Sequence, residues 1–227
     1  MTDFGKIAIG VRLTKQDAGF FCSYVRLLQA GTRTGDVMLS PAVHLPHAVA
    51  CNFLLAQFLK TECDSLLFVD DDMRFPDNAL DILRTTEGAY DMVAGLATAR
   101  RGSCESLVFR HGADGKFQTV PLPVPVAGVV AVDVLGLGFT LVKRDMLQKI
   151  VTMLGSEEIF SFDPMLGEDG NFSQQVELAG GTMAVNCDLI LEHAIQAYAT
   201  IEQSTGKVII SVADFGLRKK QTTEEEK

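Results

Sequence analysis

Short apolar runs alternate with amphipathic stretches through the first half of the chain, the pattern of strand–helix units on a parallel sheet. Residues 6–13 (KIAIGVRL) read as a buried strand and residues 19–30 as a helix. Residues 36–39 give a short second strand. Within residues 46–60, Val49, Phe53, Leu54 and Phe58 recur at helical spacing. Residues 65–69 (SLLFV) are a third strand that runs straight into Asp70-Asp71-Asp72. Pro76 and Asp77 open a helix over 78–85, and residues 92–96 form a fourth strand.

After Ala97 the texture changes. Residues 107–110 and 117–120 flank a turn that carries His111 and the hairpin pair Asp114-Gly115. Pro121, Pro123 and Pro125 make an extended segment that cannot supply a central strand. Residues 129–134 and 139–142 read as strands on either side of a flexible Leu135-Gly136-Leu137-Gly138. A helix over 144–151, a loop over 155–167 and a helix over 168–179 follow. Asp169 falls in the first turn of that last helix, where the helix dipole favours negative charge. Residues 182–185 form a final short strand. The fold class is therefore α/β: a mostly parallel central sheet flanked by helices, with a small antiparallel hairpin region in the second half.

Composition narrows the function classes. Of the 227 residues, 47% are hydrophobic and 22% charged, which excludes wholesale disorder. Twenty basic against twenty-nine acidic side chains leave a net charge of −9, against a surface that coats a polyanion. A nucleic-acid acceptor stays open, but nothing in the sequence argues for one. The five cysteines (Cys22, Cys51, Cys63, Cys104 and Cys187) are odd in number and form no CxxC pair. That usage fits a reduced, cytoplasmic protein better than a disulfide scaffold or zinc module. No apolar run approaches the ~18 residues of a membrane span, so a soluble protein is expected.

Three carboxylates directly after a buried strand sit at the carboxyl edge of a parallel sheet, where open α/β folds place their ligands. Adjacent like charges are unfavourable unless neutralised, and a divalent cation does this well. Asp70 and Asp72, two apart at a strand end, would point the same way and share one ion. Oxygen ligation suits Mg²⁺ or Mn²⁺, with substrate phosphates completing the shell. A solvated acidic loop capping the next helix is the plainer alternative. Gly167-Glu168-Asp169 offers a carboxylate at a loop–helix junction, a place for a general base, or an acidic pair that merely complements the dipole. His193 follows a short strand on a segment without periodicity, either a ligand or a satisfied polar residue. His44, His47 and His111 are read as structural or surface residues.

The order of these pieces resembles the GT-A fold of nucleotide-sugar glycosyltransferases, especially the family-2-like group. Residues 66–76 (LLFVDDDMRFP) look like its strand, DxD and following Phe-Pro. Residues 90–96 (YDMVAGL) and 135–144 (LGLGFTLVKR) are similar to its next two motifs. Gly167-Glu168-Asp169 with Phe172 resembles GEDxxF, and Gly180 fits the turn before the last strand. The resemblance runs from about Ile7 to His193. It implies a single catalytic domain over residues 1–215, while the Lys219-Lys220 and Glu224-Glu225-Glu226 runs read as a charged, flexible tail over 216–227. It also implies metal-dependent transfer of a sugar from a nucleoside-diphosphate donor, a UDP-sugar being the expected one, to an acceptor hydroxyl of undefined class.

By that resemblance Asp70, Asp72 and His193 hold Mn²⁺ or Mg²⁺, and Thr14, Asp70, Asp71, Arg100, Gly136 and Gly138 contact the nucleotide-sugar. Asp169 is the base of an inverting reaction, and Glu168 beside it contacts acceptor or donor sugar. One departure stands out. Such sequences often carry Ala-Arg-Asn ahead of the DxD strand, and here Ala50-Cys51-Asn52 stands, leaving Arg100 or Arg101 to substitute. Three other readings remain. A haloacid-dehalogenase-like phosphatase would use Asp70 as nucleophile, but Arg74 stands where that motif has Thr or Val. A metal-dependent nucleotidyltransferase would want a basic Gly-rich loop after the first strand, which Thr14-Lys15-Gln16-Asp17 is not. The last is a non-catalytic nucleotide-sugar-binding protein.

Overall fold

A computed structural model describes residues 4–14, 17–86, 88–98, 106, 108–112, 117–194 and 198–211. Arg100, Arg101, the Asp114-Gly115 turn and residues 216–227 therefore lie outside the described residues. The chain begins with β1 (Ile7–Leu13), α1 (Ala18–Gly31), β2 (Val37–Met38), β3 (Ala42–Val43) and α2 (His47–Phe58). It continues through β4 (Ser65–Asp70), β5 (Met73–Arg74), α3 (Ala79–Arg84) and β6 (Met92–Leu96). Next come β7 (Phe109–His111), β8 (Phe117–Thr119), β9 (Val129–Val132), β10 (Phe139–Lys143), α4 (Arg144–Leu154) and α5 (Gly167–Leu178). Last are β11 (Met183–Ile190), β12 (Glu192–Ala194), β13 (Tyr198–Ile201) and β14 (Val208–Ser211).

An eight-stranded sheet in the order β2-β1-β4-β10-β6-β11-β9, with β3 also on β1, forms the centre. Strands β1, β2, β3, β4, β6 and β11 run one way, and β9 and β10 are antiparallel to their neighbours. Because strand side chains alternate between faces, each apolar run feeds two cores. Ala8, Leu66, Phe68, Met92, Ala94 and Val142 pack under α2, α4 and α5. Ile7, Ile9, Leu67, Val69, Val93 and Leu141 pack under α1 and α3. The mixed α/β, mostly parallel expectation holds, and β7 pairs with β8 as the antiparallel hairpin.

Two sequence expectations change. The strand expected at 182–185 extends as β11 to Ile190, because it lies between β6 and β9 and finds partners on both edges. Beyond it, β12 does not wander. It pairs with β5 on one side and β13 on the other, giving a second sheet in the order β14-β13-β12-β5. The segment 135–138 is not a flexible spacer either: Leu135 and Leu137 are buried, the Leu135 N–H donates to Ser173 Oγ at 3.1 Å, and the Gly138 carbonyl accepts from the Asp70 N–H at 2.8 Å.

Candidate functional site

The carboxyl ends of β1 and β4 lie side by side, with Arg12 in register with Asp70. Arg12 is only 2% exposed, and its Nε donates to Asp70 Oδ1 at 2.5 Å. Its Nη1 donates to Cys51 Sγ, on α2, at 3.1 Å. Burial pulls the guanidinium pKa down, but the negative charges of Asp70 and Asp169 together with Cys51 outweigh it, so Arg12 stays protonated. The same burial pushes the Cys51 thiol up to about 12, against the opposing pull of Arg12. Cys51 is therefore a neutral prop for the cation and no nucleophile at neutral pH.

Beyond Asp70 the chain leaves the strand in a turn, so Asp71 and Asp72 do not continue its alternation. Asp71 turns inward. Its Oδ2 accepts from the Thr14 N–H at 2.6 Å and its Oδ1 from the Thr14 hydroxyl at 3.0 Å, which fixes the end of β1. Asp72 faces His193 instead, with Oδ1 3.5 Å from Nε2. The pairing of β12 with β5 brings them together: His193 is in register with Met73, and the Ala194 N–H donates to the Asp72 carbonyl at 2.7 Å. His193 Nδ1 lies 2.7 Å from the Thr98 carbonyl, an acceptor only. In neutral imidazole that contact requires the proton on Nδ1 and leaves the Nε2 lone pair aimed at Asp72.

Asp72 and His193 could supply two ligands to a divalent cation. A backbone carbonyl orienting the far nitrogen of a ligating histidine is the usual supporting contact. Among the described residues no group of three or more His, Cys, Asp or Glu side chains would hold a metal ion by itself. Mg²⁺ and Mn²⁺ tolerate this, because substrate phosphates and water complete their shells. Asp70 is committed to Arg12 rather than gathered with this pair.

Asp169 enters from α5. Three rings position that helix: Phe160 packs tilted against Phe172 of α5 at 4.4 Å between centroids and meets Phe68 of β4 edge-on at 5.4 Å. The Asp169 Oδ1 is shut off from solvent and has no hydrogen-bond partner among the described residues. Burial pushes its carboxyl up to about 6; Arg12 pulls against this, Asp70 and Glu168 add to it, and the Leu137 backbone N–H opposes it. Glu168 meets His47 of α2, Oε1 to Nδ1 at 3.2 Å. That hydrogen bond lowers the Glu168 carboxyl against burial and raises the His47 imidazole against burial and the Arg12 charge. His47, expected as a structural or surface residue, therefore belongs to this edge.

Gly138 lies where a Cβ would come 3.0 Å from Met73 Cε and 3.5 Å from Asp70 Oδ2. A side chain there would crowd the acidic turn. Gly136 presents its carbonyl to the Thr140 hydroxyl at 2.7 Å. His111 is the last residue of β7 rather than part of a turn, with Nε2 3.3 Å from Glu177 Oε2. No helix among the described residues is long and apolar enough to cross a membrane.

No family model matches the chain, and no curated protein matches it. Among solved structures, the crystal structure of A197 from STIV is similar over 95% of this chain and 98% of that one, with a TM-score of 0.61 at 20% identity. The two share a fold. In all, 111 chains of solved structures match, and a likeness of this kind shows the fold and leaves the activity to the site.

The structure thus gathers Thr14 with Asp71, Asp72 with His193, and Asp169 with Glu168 along one sheet edge, while Arg100 lies outside the described residues. Arg12 and His47 were missed. The signal for Arg12 was present: the one cation inside the apolar run IAIGVRL (residues 7–13) must be paired if the strand is buried.

Proposed function

We propose that the protein is an inverting glycosyltransferase that moves a sugar from a nucleoside-diphosphate donor to an acceptor hydroxyl. The observation that carries this reading is Asp169: a carboxylate with a shielded, unpartnered oxygen, raised to about 6, on the same sheet edge as the acidic turn. Such a group is ionised at neutral pH and basic enough to take a proton. The coarse likeness to a Rossmann-like structure agrees with a glycosyltransferase-like fold.

In this reading the acceptor oxygen bonds to the anomeric carbon as the bond from that carbon to the diphosphate oxygen breaks. The electron pair leaves on the diphosphate, and the acceptor proton passes to the Asp169 carboxylate. Asp72 and His193 would hold Mn²⁺ or Mg²⁺, which when bound offsets charge on the leaving diphosphate. Thr14, fixed by Asp71, lies beside the nucleoside, and Arg12 keeps Asp70 oriented toward the donor. Gly136 and Gly138 leave room for the donor sugar.

The test is donor binding. A nucleoside diphosphate with Mn²⁺ is expected to raise the melting temperature, since a native-state ligand stabilises by RT ln(1 + [L]/Kd). Asp72→Asn and His193→Ala should each remove most of the Mn²⁺-dependent part. Unchanged metal-dependent binding in both variants would rule out this pair as the metal site.

A further inference from the structure

A cavity of about 440 Å³ opens between α1 and the short β5–β12 ladder, a volume typical of small-molecule sites. Gly19, Cys22 and Arg26 line it from one face of α1, where their spacing follows the helical turn. Opposite them stand Arg74 of β5 and Glu192 of β12, which are in register across the ladder. Successive strand residues face opposite sides, so Arg74 and Glu192 turn away from the neighbouring Met73–His193 pair. Neither Asp72, Asp169 nor His193 lines this cavity.

Its walls are held in place. Phe75 supplies an apolar floor, packed against Phe139 at 4.5 Å and Phe20 at 6.3 Å between centroids, and Ile190 continues it. Arg26 Nε donates to Asp77 Oδ1 at 2.9 Å, which anchors the guanidinium and leaves its terminal nitrogens as further donors. The Arg74 guanidinium lies directly on Gly19, where a Cβ would come 1.9 Å from Nη2 and 2.0 Å from Nε. From there Arg74 reaches two carboxylates: Nε is 3.9 Å from Asp17 Oδ1, and Nη1 is 3.9 Å from Glu192 Oε2.

Charge and shape define the occupant. The lining carries two guanidiniums and one carboxylate, with Asp17 and Asp77 beside the guanidiniums. A phosphate ester would meet those three carboxylates, and a polyamine would meet both guanidiniums. A ligand with both signs close together suits Arg74 and Glu192, opposite charges 3.9 Å apart. An α-amino acid has its ammonium and carboxylate on one carbon, and an apolar side chain would cover Phe75 and Ile190.

We propose that this cavity binds a free α-amino acid with an apolar side chain. Its carboxylate faces the Arg74 and Arg26 guanidiniums and its ammonium faces Glu192. Neither the site nor its test depends on the glycosyl-transfer reading.

Cys22 is an exposed thiol lining the cavity, so its alkylation by iodoacetamide, followed by peptide-resolved mass spectrometry, reports on the site. Millimolar L-phenylalanine should slow that alkylation. Phenylpropionate lacks the ammonium and phenethylamine lacks the carboxylate. Each should need a roughly tenfold higher concentration for the same protection, the scale of one lost charge-assisted contact. Gly19→Ala keeps every charge and favours the helix, but its methyl displaces the Arg74 guanidinium. It should weaken phenylalanine binding roughly tenfold without lowering the melting temperature. Arg26→Met, a change at an exposed side chain, should weaken it to a similar extent. Alkylation indifferent to phenylalanine overturns the proposal. Equal protection by either analogue with a single charge, or undiminished protection in either variant, overturns it too.

Discussion

Asp169→Asn is expected to cut sugar transfer by roughly 10²–10⁴-fold, the contribution of a general base, while making the folded protein more stable at neutral pH. The first effect follows because the amide keeps the shape of the carboxylate but cannot take the acceptor proton. The second follows from the carboxyl's rise from 3.8 to about 6 on burial. Between those values the native state binds more protons than the unfolded state, so this group's contribution to stability falls as pH rises from about 4 to about 6. Above that window the ionised Asp169 is a net cost, up to about 3 kcal/mol for a rise of this size. The variant should therefore gain roughly 1–3 kcal/mol in urea unfolding at pH 7 and almost nothing at pH 4. In the parent, transfer should fall as pH drops through about 6. A variant that is less stable at pH 7 and still active would show that Asp169 is an ordinary structural carboxylate.

Arg12→Met should be as damaging to the fold as Asp169→Asn is to the chemistry. Arg12 is buried between Asp70, Cys51 and the field of Asp169. Removing one member of a buried ion pair leaves the other charge uncompensated, at a cost of about 3–5 kcal/mol. Here Asp70 loses its partner and Asp169 loses the positive charge that opposes its protonation. Adding Asp70→Asn to Arg12→Met removes the orphaned charge, so the double variant should recover part of the loss. Equal stability of the single and double variants in denaturant titrations would mean that Arg12 contributes by packing alone. Arg12→Lys should fall between, because an ammonium restores the charge but not the contacts to both Asp70 and Cys51.

The central strands, the helices and the acidic turn were legible because each obeys a local rule. An apolar run of five or six residues between turn signals makes a buried strand, and its alternation feeds the two cores on either side of the sheet. The GED junction was legible for the same reason, as a helix start with acidic residues in its first turn. What escaped depends on pairing between distant short segments. His193 reaches Asp72 only because two residues of β12 align with two residues of β5, more than a hundred positions earlier, and neither strand is long enough to show a period. His47 meets Glu168 because two helix N-termini converge, which no window along the chain can see. Cys51, read as a departure from an expected arginine, has a guanidinium beside it after all, supplied by Arg12 from the neighbouring strand.

Which bond of a nucleotide-sugar breaks is the most direct test of the account. Protein, Mn²⁺, an unlabelled UDP-sugar and octyl glucoside as a simple hydroxyl acceptor can be followed together by ³¹P and ¹H NMR. Cleavage between the anomeric carbon and the diphosphate, with Asp169 as base, releases the intact nucleoside diphosphate and gives a product of inverted anomeric configuration; Asp169→Asn should release neither at a comparable rate. Appearance of nucleoside monophosphate with sugar phosphate, of inorganic phosphate, or of a product with retained configuration would contradict the account.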